Sequence, residues 1–157
     1  AKVGDGIYLS SLTGWSAAGL ALLQSQGSPK GEAQEKALQE FKTPTIDYRF
    51  DSSKATAMCD ISDSIIEQAA QIAAASGVKL HFDAKLLANS AEFISLQSLA
   101  DQLSADVWQW VFGGGEDHVL LATGVDLPGL RIGEVTAGSG ISGIPLKVKD
   151  ESWNHFR

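Results

Sequence analysis

The chain has 157 residues, of which 44% are hydrophobic and 20% charged, enough for one buried core and ordinary for a single globular domain. Lys and Arg number 12 against 19 Asp and Glu, a net charge of −7, which argues against the basic surface a nucleic-acid binder needs and has any phosphate ligand arriving with metal ions. No apolar run approaches the roughly 18 residues of a membrane span and nothing at the N-terminus reads as a signal peptide, so a cytoplasmic protein without membrane contact is expected.

Ala1-Lys2-Val3-Gly4-Asp5-Gly6 opens the chain without an initiator methionine, which reads as a piece cut from something longer. Ile7 to Ser10 forms a first strand. Thr13-Gly14 turns into a helix that carries Ala17, Ala18, Leu20, Ala21 and Leu22 and ends at Gly27. Ser28-Pro29 offers an N-cap and a first-turn proline for a second, polar helix through Glu32, Glu35, Leu38 and Phe41, stopped by Pro44. Thr45 to Lys54 is polar and irregular and delivers the chain to Asp60. There Ser64-Ile65-Ile66-Glu67 fits a capping box, with Ile65, Ile66, Ala69, Ile72 and Ala73 as the buried stripe of a helix that Gly77 terminates.

Val78 to Phe82 alternates like a half-buried strand, and Asn89 or Ser90 caps a helix through Phe93, Leu96, Leu99 and Leu103. A short helix holding Trp108, Val111 and Phe112 follows. His118 to Thr123 is a strand by composition, and the tail alternates short strands, Arg131 to Thr136 and Leu146 to Val148, with glycine-rich turns. Strands and helices mix without strict alternation, so the fold class is α+β, a mixed β-sheet packed with helices in one domain over residues 1–157.

Four segments carry the chemistry. Gly14-Trp15-Ser16-Ala17-Ala18-Gly19 joins strand to helix as a phosphate loop does, but Leu20-Ala21 stands where the Walker lysine and hydroxyl belong. Tight helix packing explains these small residues, with backbone amides touching an anion as the alternative. Asp60, Ser62 and Asp63 offer hard oxygen ligands ahead of a helix, and both a divalent-cation grip and a solvated, dipole-compensating cap fit them. Gly113-Gly114-Gly115-Glu116-Asp117 reads as an exposed acidic turn or as a backbone that lets a ligand approach. Trp153-Asn154-His155-Phe156 either docks into the core or presents Trp153 to a flat ligand. Cys59, the single cysteine, excludes an internal disulfide framework and reads as a small core residue. His81, His118 and His155 lie too far apart for a zinc signature.

Taken together, these segments resemble the C-terminal domain of thiamine-monophosphate kinase, in the aminoimidazole-ribonucleotide synthetase superfamily. Gly4-Asp5 with Ser16 to Leu23 is the first match. Ala57-Met58-Cys59-Asp60-Ile61-Ser62-Asp63 is similar to the family's Asp-Ile-Ser-Asp-Gly-Leu, Gly114 to Leu121 to Gly-Gly-Glu-Asp-Tyr-Glu-Leu-Leu, and Trp153 to Phe156 to the closing Gly-Trp-Asp-His-Phe. Ser64 replaces the glycine after the second aspartate, His118-Val119 replaces Tyr-Glu, and Ser152 stands where a glycine precedes the tryptophan.

The resemblance implies the fold of that superfamily's C-terminal domain and transfer of the ATP γ-phosphate to thiamine monophosphate, giving thiamine diphosphate with magnesium as cofactor. By the same resemblance Asp60 and Asp63 bind magnesium, Ser62 contacts ATP, and Glu116 and Trp153 hold thiamine. It further implies an N-terminal domain that supplies the other metal-binding aspartates, the nucleotide cleft and a homodimer interface. Nothing in this sequence corresponds to that domain, so the chain alone is expected to be inactive. A non-catalytic binding module of the same fold, or another enzyme of the superfamily, is the alternative.

Overall fold

The computed structural model describes residues 1–25, 29–46 and 49–145. Six strands form one sheet in the order β2-β4-β1-β5-β3-β6. They are β1 (Gly6–Leu9), β2 (Ala55–Ile61), β3 (Lys79–Phe82), β4 (Val119–Gly124), β5 (Leu130–Thr136) and β6 (Gly140–Ser142). All neighbours run antiparallel except β3 and β6, which are parallel. The helices are α1 (Trp15–Gln24), α2 (Glu32–Lys42), α3 (Ile65–Ser76), α4 (Lys85–Ala88), α5 (Ala91–Gln102) and α6 (Val107–Gly113). This is the mixed-sheet α+β architecture expected of the sequence.

Period-two alternation divides the strands between two faces. Ile7, Leu9, Leu80, Phe82, Leu121 and Val135 point into one core with Ile65, Leu96, Leu99 and Phe112 from the helices. Phe82 meets Phe112 edge to face at 5.6 Å between ring centroids, a favoured aromatic geometry. Residues of the other parity, Tyr8 and Ala122, make a small second cluster with Leu127. No helix among the described residues is long and apolar enough to cross a membrane.

Helix ends follow their local chemistry. The Ser64 hydroxyl accepts from the Glu67 amide at 3.1 Å and Ser90 from Phe93 at 3.1 Å, while Gly77 closes α3 in the left-handed conformation at φ 64°. Two starts differ from expectation. Helix α2 begins after Gly31 rather than at Ser28-Pro29, because Gly31 at φ 119° lets the chain turn where no side chain caps it. The stretch before Asp60 is strand β2 from Ala55, with Ala57, Cys59 and Ile61 toward the core side and Met58 and Asp60 exposed. Helix α1 ends at Gln24 with Ser25 as its C-cap, short of the Gly27 expected to end it, while the Ser28 cap and the Leu146–Val148 strand fall outside the described residues.

Candidate functional site

Asp60 lies near the end of an edge strand, four residues before the N-cap Ser64. That corrects the expectation of a carboxylate at the helix mouth, since a helix dipole acts only within its first turn. Asp60 therefore has no capping task, and its side chain is 61% exposed. Ser62 and Asp63 form the link from β2 to α3, where Gln68 donates to the Asp63 carboxylate at 3.4 Å.

The glycine loop docks directly on this link. A Cβ at Gly115 would stand 2.0 Å from the Asp63 carbonyl oxygen and 2.6 Å from that of Ser62, so only glycine permits the approach. The Glu116 amide donates to the Ser62 carbonyl at 2.7 Å and the His118 amide to that of Ile61 at 3.1 Å. Three of the five expected site residues, Ser62, Asp63 and Glu116, thus meet at one mouth formed by two loops, and Asp60 stands beside it near the end of β2. Trp153 lies outside the described residues.

Glu116 and Asp117, which the sequence presents as one acidic turn, separate completely. Glu116 is exposed and Asp117 is 5% exposed. The Asp117 carboxylate accepts from the Gly14 amide at 2.8 Å and the Ser16 amide at 3.0 Å, capping α1 from more than a hundred residues away. The packing reading of the Gly14 to Gly19 segment therefore holds, and its first amides are taken up within the fold. The amides at its start do touch an anion, which is the protein's own. Gly19 serves packing, because a Cβ there would meet the Ala37 carbonyl oxygen at 2.2 Å.

Burial pushes the Asp117 carboxyl up to about 6, against the pull of the Ser16 and Gly14 amides. The folded value lies above the ordinary 3.8, so the folded chain holds a proton that the unfolded chain releases. The stability from this group is complete below about 3.8 and is lost as pH rises through about 6. A carbon-13 NMR titration should show the Asp117 carboxyl turning over near pH 6. A midpoint below the ordinary value would mean that the two amide bonds outweigh burial.

Glu116 and His118 flank this clamp with positive φ, 64° and 52°, conformations that non-glycine residues adopt at a cost of order 1–3 kcal/mol and that collect at functional sites. The sequence named Asp117 and His118 but gave neither a role of its own. Burial and strain leave no composition signal, and alternating parity along 116–118 was the only hint. Cys59 is half-buried beside Asp60, and burial first and then that carboxylate push its thiol up to about 11, which leaves it a weak nucleophile.

The mouth opens on a cleft of about 470 Å³, lined by Ala17, Leu20 and Phe41 on the apolar side and by Ser62, Asp63 and Glu116 on the polar side. That size suits a small-molecule ligand. A second cleft of about 510 Å³ contains Trp15, Lys36 and Glu92, but these groups engage one another. Lys36 Nζ lies 2.5 Å from Glu92 Oε1 and 4.3 Å from the Trp15 ring centre, and the Trp15 indole donates to the same carboxylate oxygen at 3.1 Å.

No family model matches the chain. The thiamine-monophosphate kinase of Corynebacterium glutamicum is 36% identical over 144 residues, 87% of this chain and 43% of that enzyme. That of Aquifex aeolicus is 32% identical over 165 residues, 99% of this chain and 53% of that enzyme. The chain is a relative of the thiamine-monophosphate kinases and matches their C-terminal half. It spans about half the length of the curated relatives it matches. The solved structure of AaThiL complexed with AMPPCP and TMP superposes with a TM-score of 0.82 at 30% identity, covering 99% of this chain and 52% of that one. The hydrogenase maturation protein HypE, at 13% identity and a TM-score of 0.58 over 87% of this chain and 46% of its own, shares the fold alone. The kinase resemblance therefore rests on sequence and fold together.

Proposed function

We propose that this chain is the acceptor-side half of a thiamine-monophosphate kinase, which transfers the γ-phosphate of ATP to thiamine monophosphate. The observation that carries the reading is the docking of Gly115-Glu116 on Ser62-Asp63, with the 2.7 Å bond from the Glu116 amide to the Ser62 carbonyl. It sets a carboxylate suited to the acceptor beside oxygen ligands suited to a cation and phosphates. The kinase relatives, and a solved relative complexed with AMPPCP, an ATP analogue, and TMP, support it.

Asp60 and Asp63 hold magnesium in this reading. Among the described residues no three His, Cys, Asp or Glu side chains converge on a metal. Magnesium fits nonetheless, because it is bound through one or two carboxylates with phosphates and water completing the shell. When bound, it spreads the charge of the phosphates during an in-line displacement. Ser62 contacts ATP through its hydroxyl. Glu116 orients the thiamine moiety by a polar contact, Trp153 stacks on one of its rings, and Leu20 and Phe41 shield the apolar side of the cleft from water.

An N-terminal half brings the remaining metal ligands, the nucleotide cleft and the contacts of a homodimer. Catalysis by positioning and charge stabilisation fails when half the groups are missing, so the chain alone does not turn over. Thiamine diphosphate formation by the chain alone, at a rate near that of an intact enzyme in a coupled assay, would overturn this division. The site itself is tested by calorimetric titration with thiamine monophosphate. Glu116→Ala and Trp153→Ala should each weaken binding at least about tenfold, or roughly 1.4 kcal/mol. Unchanged affinity in both would remove the assignment.

A further inference from the structure

We propose that His118 is a positioning residue that couples Asp60, on the cation side of the mouth, to Glu116, on the acceptor side; this rests on the roles given to those two carboxylates above. The imidazole stands between them, with Nδ1 3.8 Å from the nearer Asp60 oxygen and Nε2 3.7 Å from the nearer Glu116 oxygen. The two ring nitrogens face different carboxylates. The three side chains therefore form a bridge and not a cage around one ion, in keeping with the lack of a three-ligand cluster among the described residues.

Both separations exceed a hydrogen bond, so a small rotation of either carboxylate completes one contact or the other. A neutral imidazole has one N–H to give. A cation on Asp60 compensates that carboxylate and leaves Glu116 as the stronger acceptor. Occupation of the cation side then favours the tautomer protonated at Nε2, with Nδ1 giving its proton to water and Nε2 taking one from water, and the Nε2–H fixes the carboxylate that faces the acceptor, in the way that outer-shell partners orient the groups around a metal.

The backbone supports a dedicated role. His118 and Glu116 both hold positive φ, and three tethers keep them there: the bonds of their amides to Ile61 and Ser62 and the Asp117 clamp between them. Glycine would suit the backbone at 118 better than histidine. What glycine lacks is the imidazole.

The test compares the chain with His118→Gly and His118→Gln, following carboxyl carbon-13 resonances as magnesium is added, with melting temperatures measured in parallel. In the parent, the Asp60 and Glu116 signals should both shift. In His118→Gly only Asp60 should respond, while the melting temperature stays level or rises because the strained φ is relieved. The glutamine amide can reach one carboxylate and should restore part of the Glu116 response. Affinity for thiamine monophosphate should fall five- to tenfold in His118→Gly. A parent in which Asp60 shifts and Glu116 does not overturns the coupling and leaves the metal reading standing. If neither shifts, the metal assignment fails and the coupling fails with it. A Glu116 response that persists in His118→Gly, or one without any at Asp60, overturns it, and so does a lower melting temperature for His118→Gly.

Discussion

A Gly115→Ala chain is expected to melt roughly 6–12 °C below the parent and to lose its affinity for thiamine monophosphate, as thermal melts and calorimetric titration would show. The new Cβ would stand 2.0 Å and 2.6 Å from the carbonyl oxygens of Asp63 and Ser62. Backbone atoms cannot swing aside as a flexible side chain would, so the two loops must part. Overpacking of this kind costs about 1–3 kcal/mol, and parting the loops also removes the bond between the Glu116 amide and the Ser62 carbonyl, worth about 1 kcal/mol. The loss of binding separates this substitution from a generic core defect, because the clash occurs where the groups proposed for acceptor and cation meet. A Gly115→Ala chain that melts and binds like the parent would show that the loops do not dock as described.

Gly19→Ala sets two effects of known sign against each other. Alanine in a helix interior is favoured over glycine by about 1 kcal/mol, so an isolated α1 would gain. In the fold its Cβ would lie 2.2 Å from the Ala37 carbonyl oxygen and 2.6 Å from Phe41 Cβ, which drives α2 away from α1. The clash wins because it involves the backbone of the neighbouring helix. A net loss of about 1–2 kcal/mol is expected for alanine, and a larger one for Gly19→Val, whose branched carbon adds bulk to the same contact. Phe41 lines the cleft, so ligand affinity should fall together with stability. Denaturant unfolding decides the matter, and a Gly19→Ala chain more stable than the parent would mean that α1 and α2 are not in close contact.

The main helices and most of the sheet were legible because each carries its own local signal: the Ser64 cap with its apolar stripe, the Ser90 cap, and the alternation of Val78 to Phe82. Strand β2 was not. Its inward residues Ala57 and Cys59 are small and its outward Met58 is large and apolar, so the usual contrast between faces is inverted. Strand β6 reads as turn because glycines flank Ile141 and Ser142, and only pairing with β3, some sixty residues away, makes it a strand. In the site, Asp60, Ser62, Asp63 and Glu116 were singled out from residue type and family pattern, and the structure places them near one another. The division of labour between Glu116 and Asp117 could not, because what buries Asp117 is the start of α1, set against it by the fold and not by its neighbours in sequence.

That clamp also sets an order of assembly. Gly14 and Ser16 leave the ribosome well before Asp117, and the carboxylate that satisfies their amides follows 103 and 101 residues later. Until then the Gly14 and Ser16 amides have only water to bind, and the glycine loop is tied to Ile61 and Ser62 but not to α1. Closing so long a segment gives up chain entropy before any contact repays it. A nascent chain can wind its helices and still lack a mouth, because the mouth is made by joining an early residue to a late one.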